Sequence, residues 1–113
     1  AIERIRPLVE VSKNNLLNLN INNVFFKHGD GYQDWKKNIE YDGILCAAAP
    51  RAYPNDLLSA LKPNAKLVIP VGSKIQKLNV ISVNEKNEIH KEEFDDVSFV
   101  PMLPGISEDG VDL

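Results

Sequence analysis

The 113-residue chain is long enough for one domain, with 43% hydrophobic and 26% charged residues and a net charge of -3. Those proportions exclude general disorder, and the mild acidity gives no reason to expect nucleic acid or an anionic membrane as a partner. One cysteine, Cys46, excludes an internal disulfide and suits a reducing compartment. No apolar run approaches the ~20 residues of a membrane-spanning helix, and Ala1 to Leu8 lacks a signal peptide's apolar stretch, so the cytoplasm is the expected location.

The chain opens on Ala1–Glu3, which reads as the end of a strand. From Ile5 to Leu19 the apolar positions Ile5, Leu8, Val9, Leu16 and Leu19 fall on one helical face. Pro7 suits that helix's first turn, where a missing N–H costs nothing. Asn18, Asn20, Asn22 and Asn23 mark its exit.

Val24–Lys27 has strand composition and ends at Gly29-Asp30-Gly31. A polar loop bearing Tyr32 and Trp35 follows, and its basic pair Lys36-Lys37, balanced by Asp34 and Glu40, reads as solvated. Tyr41–Ala47 is the next strand, and the apolar run from Ile44 to Ala49 predicts burial on both faces. Pro54–Leu61 reads as a short helix with a Leu57, Leu58, Leu61 stripe, Lys62–Ala65 as a turn, and Lys66–Val71 as a third parallel strand ended by Gly72-Ser73.

Beyond it the pattern changes. Leu78 to Val83, a polar turn over Asn84–Glu88, a return from Ile89 and a last strand at Val97–Val100 predict an antiparallel meander. Residues 1–104 form the expected domain and 105–113 a flexible tail with little to anchor it. The fold class is α/β: a partial doubly wound, mostly parallel sheet with the meander appended.

Ligands in such sheets sit beyond the C-terminal strand ends. Glu3, Gly29–Gly31 and Ala47–Pro50 follow three of those ends and would converge on one crevice. The Glu3 carboxylate could accept hydrogen bonds from a ribose diol, or serve the following helix as a cap or first-turn acid. Asp30, between glycines that let a base approach the backbone, could accept from an adenine amino group or close an Asx turn. His28 reads as a solvated strand-end residue rather than a base, since no nucleophile is placed beside it. Cys46 reads as buried and inert, and Tyr32 and Trp35 as packing or as flanks for a base or peptide. His28, His90 and Cys46 lack metal-site spacing, and no complete glycine-rich cofactor loop is present.

Taken in order, His28-Gly29-Asp30-Gly31-Tyr32, Tyr41-Asp42-Gly43-Ile44-Leu45, Ala47-Ala48-Ala49-Pro50, Leu61-Lys62-Pro63, Leu67-Val68-Ile69-Pro70-Val71-Gly72 and Phe99-Val100-Pro101 closely resemble the protein-L-isoaspartate O-methyltransferase family. The resemblance covers roughly residues 2 to 103. It implies a Rossmann-like methyltransferase fold and transfer of a methyl group from S-adenosyl-L-methionine to the α-carboxyl of L-isoaspartyl residues in damaged proteins. It implies that Glu3 holds the cofactor ribose and Asp30-Gly31 the adenine. Ala47, Ala48, Ala49, Pro50, Pro70, Val71 and Gly72 would line the substrate groove, with Met102 and Leu103 near the site.

This sequence departs from the family in the Lys62-Pro63-Asn64-Ala65 turn, which loses two glycines, although Asn64 can adopt positive φ. The family's substrate loop and glycine-rich cofactor loop would lie upstream of Ala1, with the main catalytic residues. The first strand, also upstream, would sit mid-sheet between Ala1–Glu3 and Tyr41–Ala47. Hence the expectation is that the isolated chain is inactive, and that residues upstream or a second chain complete it. The contrasting expectation is a truncated, non-enzymatic binding module, or a methyltransferase of another substrate class.

Overall fold

A computed structural model of the chain describes residues 1–35 and 38–110; Lys36-Lys37 and the end of the expected tail, 111–113, lie outside the described residues. The chain divides into two compact units. One is Ala1–Trp35 with the described part of Leu103–Leu113; the other is the described part of Lys36–Met102.

In the first unit, strand β1 (Ile2–Glu3) leads into helix α1 (Arg6–Asn18) and returns to strand β2 (Lys27–His28). The two strands are parallel, with Ile2 opposite Lys27 and Glu3 opposite His28. Ile5 has extended dihedrals and caps the helix N-terminus, with proline in the first turn where its missing N–H leaves no bond unmade. The helix ends near Asn20, whose φ of 57° is a left-handed value that asparagine tolerates. Of the expected apolar stripe, Ile5 and Val9 are buried, one helical turn apart. Leu8 and Leu19 are exposed, because no described element packs over that side. β2 is shorter than the Val24–Lys27 reading: the Phe25 carbonyl accepts from the Ala1 amino group, yet the residue lies outside the strand and is exposed.

The second unit is a four-stranded sheet in the order β3-β4-β5-β6, comprising β3 (Tyr41–Leu45), β4 (Leu61–Gly72), β5 (Gln76–Val83) and β6 (Ile89–Val97). β3 and β4 are parallel, joined through the short helix α2 (Asn55–Ser59); β4, β5 and β6 are antiparallel neighbours. The fold is therefore α/β with parallel pairing and an antiparallel meander, as the residue pattern implied. The core is Leu67, Ile69 and Ile81, all 0–1% exposed, under Leu57, Leu58, Ala60 and Leu61. Leu67 and Ile69 are two apart on β4 and so share a face; Leu67 lies opposite Ile81. α2 supplies Leu57 and Leu58 to this core.

Several expectations need correction. Among the described residues Lys27–His28 pairs with β1, in a two-stranded sheet, and not with Tyr41–Leu45 and Lys66–Val71 in one sheet. β3 is an edge strand among the described residues, and Leu45 is 79% exposed, with its sheet face uncovered where burial on both faces was expected. Lys62–Ala65 is an irregularity inside β4 rather than a free turn. Tyr41 pairs with Leu61 and Gly43 with Lys66, so β4 carries three more residues than β3 over that stretch. Asn64, at φ 66°, absorbs that excess length. The strand expected at Val97–Val100 ends at Val97, because Val100 and Pro101 pair elsewhere.

Residues 105–110, expected to be loose, are tied to the first unit. Ser107 is 4% exposed and pairs in parallel with Ile5. Its N–H donates to the Arg4 carbonyl (2.7 Å) and its own carbonyl accepts from the Arg6 N–H (2.9 Å).

Candidate functional site

Glu3 and Asp30 stand at the C-terminal ends of β1 and β2. The parallel pairing aligns them: Glu3 lies opposite His28, and the Gly29 N–H donates to the Glu3 carbonyl at 3.0 Å. Glu3 Oε1 accepts from the Ile5 N–H at 3.0 Å. That bond falls at the residue before the helix, and none of the first-turn helical N–H groups is capped by a side chain. Glu3 is half-buried, and Oε2 carries no hydrogen bond among the described residues. One carboxylate oxygen is thus fixed while the other remains able to accept.

Asp30 is different. It is 4% exposed. Oδ1 accepts from the Tyr32 N–H (2.8 Å), closing an Asx turn, and Oδ2 accepts from the Gly105 N–H (2.8 Å). Its own N–H donates to Asp34 Oδ2 (2.6 Å), and its carbonyl accepts from the Gln33 and Asp34 N–H groups. Two anchored carboxylate oxygens make Asp30 the rigid centre of the 29–34 loop. Gly29 sits tightly in that loop, since a Cβ there would come 2.9 Å from Asp34 Cβ. Gly31 follows, half-buried.

His28 is not the solvated residue expected. Its Nε2 lies 2.8 Å from the Arg4 carbonyl and 3.2 Å from that of Ser107. Carbonyls only accept, so Nε2 carries a proton and the ring joins β2 to both segments. Trp35 is half-buried, and its indole N–H has no hydrogen-bond partner among the described residues, which favours the packing reading.

In the second unit, the two segments assigned to the substrate groove come together. The Gly72 N–H donates to the Pro50 carbonyl at 2.9 Å, linking Ala47–Pro50 to Pro70–Gly72. Ala49 and Pro50 are buried, Ala48 and Val71 half-buried and Ala47 exposed; Pro70 is fully buried. Gly72 has φ 135°, and a Cβ there would lie 2.0 Å from the Ile75 carbonyl oxygen, so only glycine fits this turn into β5.

The late Phe99-Val100-Pro101 motif joins the same place. The Ala49 N–H donates to the Val100 carbonyl (2.8 Å), and the Met102 N–H donates to the Ala49 carbonyl (2.9 Å). Gln76 holds the motif from β5: its Oε1 accepts from the Phe99 N–H (2.7 Å), and its Nε2 donates to the Phe99 carbonyl (3.0 Å). Gln76 was not singled out from the sequence, since a lone glutamine in a strand carries no pattern. Cys46 Sγ donates to the Ala48 carbonyl (3.3 Å) and lies 3.9 Å from Met102 Sδ. Burial pushes the Cys46 thiol pKa up, opposed by the Ala48 main chain, so the thiol stays protonated near neutral pH and is a poor nucleophile.

Glu3, Asp30 and Gly31, the residues expected to hold a cofactor, thus lie in the first unit, and the segments expected to line a groove lie in the second. Among the described residues, no cluster of three or more His, Cys, Asp or Glu side chains could hold a metal, and no helix is long and apolar enough to cross a membrane.

Residues 1–106 match the sequence model of the family described as Protein-L-isoaspartate(D-aspartate) O-methyltransferase (PCMT). The chain is 43% identical over 108 residues to a protein-L-isoaspartate O-methyltransferase of Saccharophagus degradans, covering 95% of this chain and 48% of that protein. It is 43% identical over 105 residues to one from Aliivibrio fischeri, covering 93% and 50%. A crystal structure of a Plasmodium falciparum protein described as a protein-L-isoaspartate O-methyltransferase, in complex with S-adenosyl-L-homocysteine, superposes with a TM-score of 0.77 at 28% identity. It covers 90% of this chain and 50% of that one. The chain spans about half the length of the curated relatives it matches. A match that runs from residue 1 to 106 takes in both strand-end carboxylates, the groove segments and the late Val-Pro motif, and on it the chain belongs to the protein-L-isoaspartate O-methyltransferase family.

Proposed function

We propose that the protein carrying this chain transfers a methyl group from S-adenosyl-L-methionine to the α-carboxyl of L-isoaspartyl residues in proteins, a repair reaction. The observation that carries this reading is the pair Glu3 and Asp30 at adjacent parallel strand ends, inside a segment matched throughout by the family. The Plasmodium relative with bound S-adenosyl-L-homocysteine supports the cofactor class.

The residues present fit the cofactor unequally. Glu3 fits a ribose diol, because Oε2 can accept while Oε1 is fixed by Ile5. Asp30 is enclosed, with Oδ1 held by the Tyr32 N–H and Oδ2 by the Gly105 N–H, so its reading as an acceptor for the adenine amino group, with Gly31 beside it, requires the Gly105 contact to open. When bound, the cofactor would supply an electrophilic sulfonium methyl for a substrate carboxylate, the sulfur leaving as a neutral thioether. The attacking carboxylate is already ionised, so the protein has no proton to remove and contributes by positioning and excluding water. Ala47–Pro50 and Pro70–Gly72, clamped by the Pro50–Gly72 and Ala49–Met102 hydrogen bonds, support a groove for an extended peptide.

Isoaspartyl proteins or peptides are the proposed partners and the cytoplasm the proposed location, without nucleic acid or membrane. The parts of the site for the methionine end of the cofactor and for substrate capture are assigned to sequence upstream of Ala1, in cis or on a second chain. No observation favours the non-enzymatic module. The test is to incubate the purified chain with labelled cofactor and an isoaspartyl peptide, alone and with the upstream residues supplied. No turnover alone and turnover on completion is the expected pair. Absence of turnover in a complete, folded protein that binds the cofactor would refute the activity.

A further inference from the structure

We propose that residues 105–108 form a strap over the Asp30 end of the cofactor site, and that this strap must release before the adenine end can be bound through the Asp30 carboxylate. The inference rests on the cofactor reading given above. Asp30 Oδ2 is held by the Gly105 N–H, and the side chain is 4% exposed, so no ligand amino group reaches it while the strap is seated. The strap is fastened at several points beyond Asp30. Arg4 Nε donates to the Gly105 carbonyl (3.3 Å), and Ser107 pairs through both its N–H and its carbonyl with Arg4 and Arg6. His28 Nε2 lies between the Arg4 and Ser107 carbonyls, and Arg6 pairs with Glu108 at the surface.

The fastening is local and mostly main-chain. Apart from Ser107, residues 104–109 are exposed, with Ile106 49% exposed, so little apolar burial opposes release. Gly105 sits at φ 76°, with nothing within 4 Å of a would-be Cβ, so the segment is not packed against a neighbour at that point. An enclosed carboxylate whose cover is held by a few hydrogen bonds and little buried surface is a two-state element. The ligand's apparent affinity then falls by the fraction of molecules with the strap open.

The test uses the longest native form of the protein and S-adenosyl-L-homocysteine as the probe. Gly105→Pro removes the N–H that holds Asp30 and cannot adopt φ 76°. It is expected to bind the probe about fivefold more tightly, as losing one fastening hydrogen bond would give. Glu108→Ala, which leaves the backbone intact, is expected to move affinity in the same direction. Hydrogen exchange needs no variant: saturation with the probe should speed exchange at the Gly105 and Ser107 amides of the unmutated protein. Unchanged or weaker binding in Gly105→Pro and Glu108→Ala, or slowed exchange at those amides on saturation, would overturn the strap. Glu3→Gln separates the two readings. If it weakens binding while the strap variants do not strengthen it, the cofactor site stands and the strap falls; if it leaves binding unchanged, the cofactor reading and the strap fall together.

Discussion

Replacing Gly72 with alanine tests the junction that holds Ala47–Pro50 and Pro70–Gly72 together. A Cβ at this position would lie 2.0 Å from the Ile75 carbonyl oxygen and 2.9 Å from the Gln76 Cα, both main-chain atoms that cannot rotate away. The residue also sits at φ 135°, where a non-glycine costs about 1–3 kcal/mol. Relieving the overlap requires opening the turn between β4 and β5, which strains the Gly72–Gln76 pairing and the Pro50–Gly72 hydrogen bond, at about 1 kcal/mol per bond lost. The expected total is about 3–5 kcal/mol. For a domain of this size that lowers a urea midpoint by roughly 1.5–3 M. Gly105→Ala is the control: it too has positive φ, but with open space around it, and should cost no more than about 1–2 kcal/mol. Urea unfolding of both variants decides the matter. Equal midpoints would show that the Ile75 carbonyl is not what excludes a side chain at Gly72.

Three further outcomes follow from the same contacts. Glu3→Gln should weaken S-adenosyl-L-homocysteine binding by about 1–3 kcal/mol in a calorimetric titration, because the amide loses the charge on Oε2 while its oxygen can still accept from Ile5. Leu67→Ala, at a fully buried position opposite Ile81, should destabilise by about 2–5 kcal/mol in denaturant, and a loss under about 1 kcal/mol would mean the core had been misplaced. The Cys46 pKa is raised by burial, so the sign of its linkage is fixed: its contribution to stability is complete below the unfolded thiol's pKa and fades as pH rises through the folded one. Near pH 8 a thiol reagent should modify Cys46 more slowly in the native protein than in urea, and equal rates would contradict the burial.

The parts of the fold legible in the sequence were those where one local signal sufficed. Pro7 and the Ile5/Val9 spacing placed α1, and the Leu67-Val68-Ile69 run placed the centre of β4, because helix starts and buried strands leave periodic traces. The proximity of Ala47–Pro50 and Pro70–Gly72, far apart in sequence, followed only from the resemblance; a backbone hydrogen bond from Gly72 to Pro50 links them. Edge position was not legible. Ile44 to Ala49 has the composition of a strand buried on both faces, yet composition cannot say whether a neighbouring strand or a covering layer is present; among the described residues β3 lies at the sheet edge, and Leu45 is exposed.

The strap shows the same limit from the other side. Pro104-Gly105-Ile106-Ser107-Glu108 has no periodicity and little apolar content, the ordinary marks of a loose end. What fixes it is backbone pairing with Arg4 and Arg6 and one N–H on the Asp30 carboxylate. Main-chain donors and acceptors are the same in every residue, so a segment held through them leaves no mark in side-chain pattern. The trace it does leave is on the partner side. A buried aspartate must find donors for both oxygens, and Tyr32 supplies only one of the two in the local Asx turn. The second donor is the Gly105 N–H, distant in sequence, and together with the Arg4 and Arg6 pairing of Ser107 it ties down the chain's last described stretch.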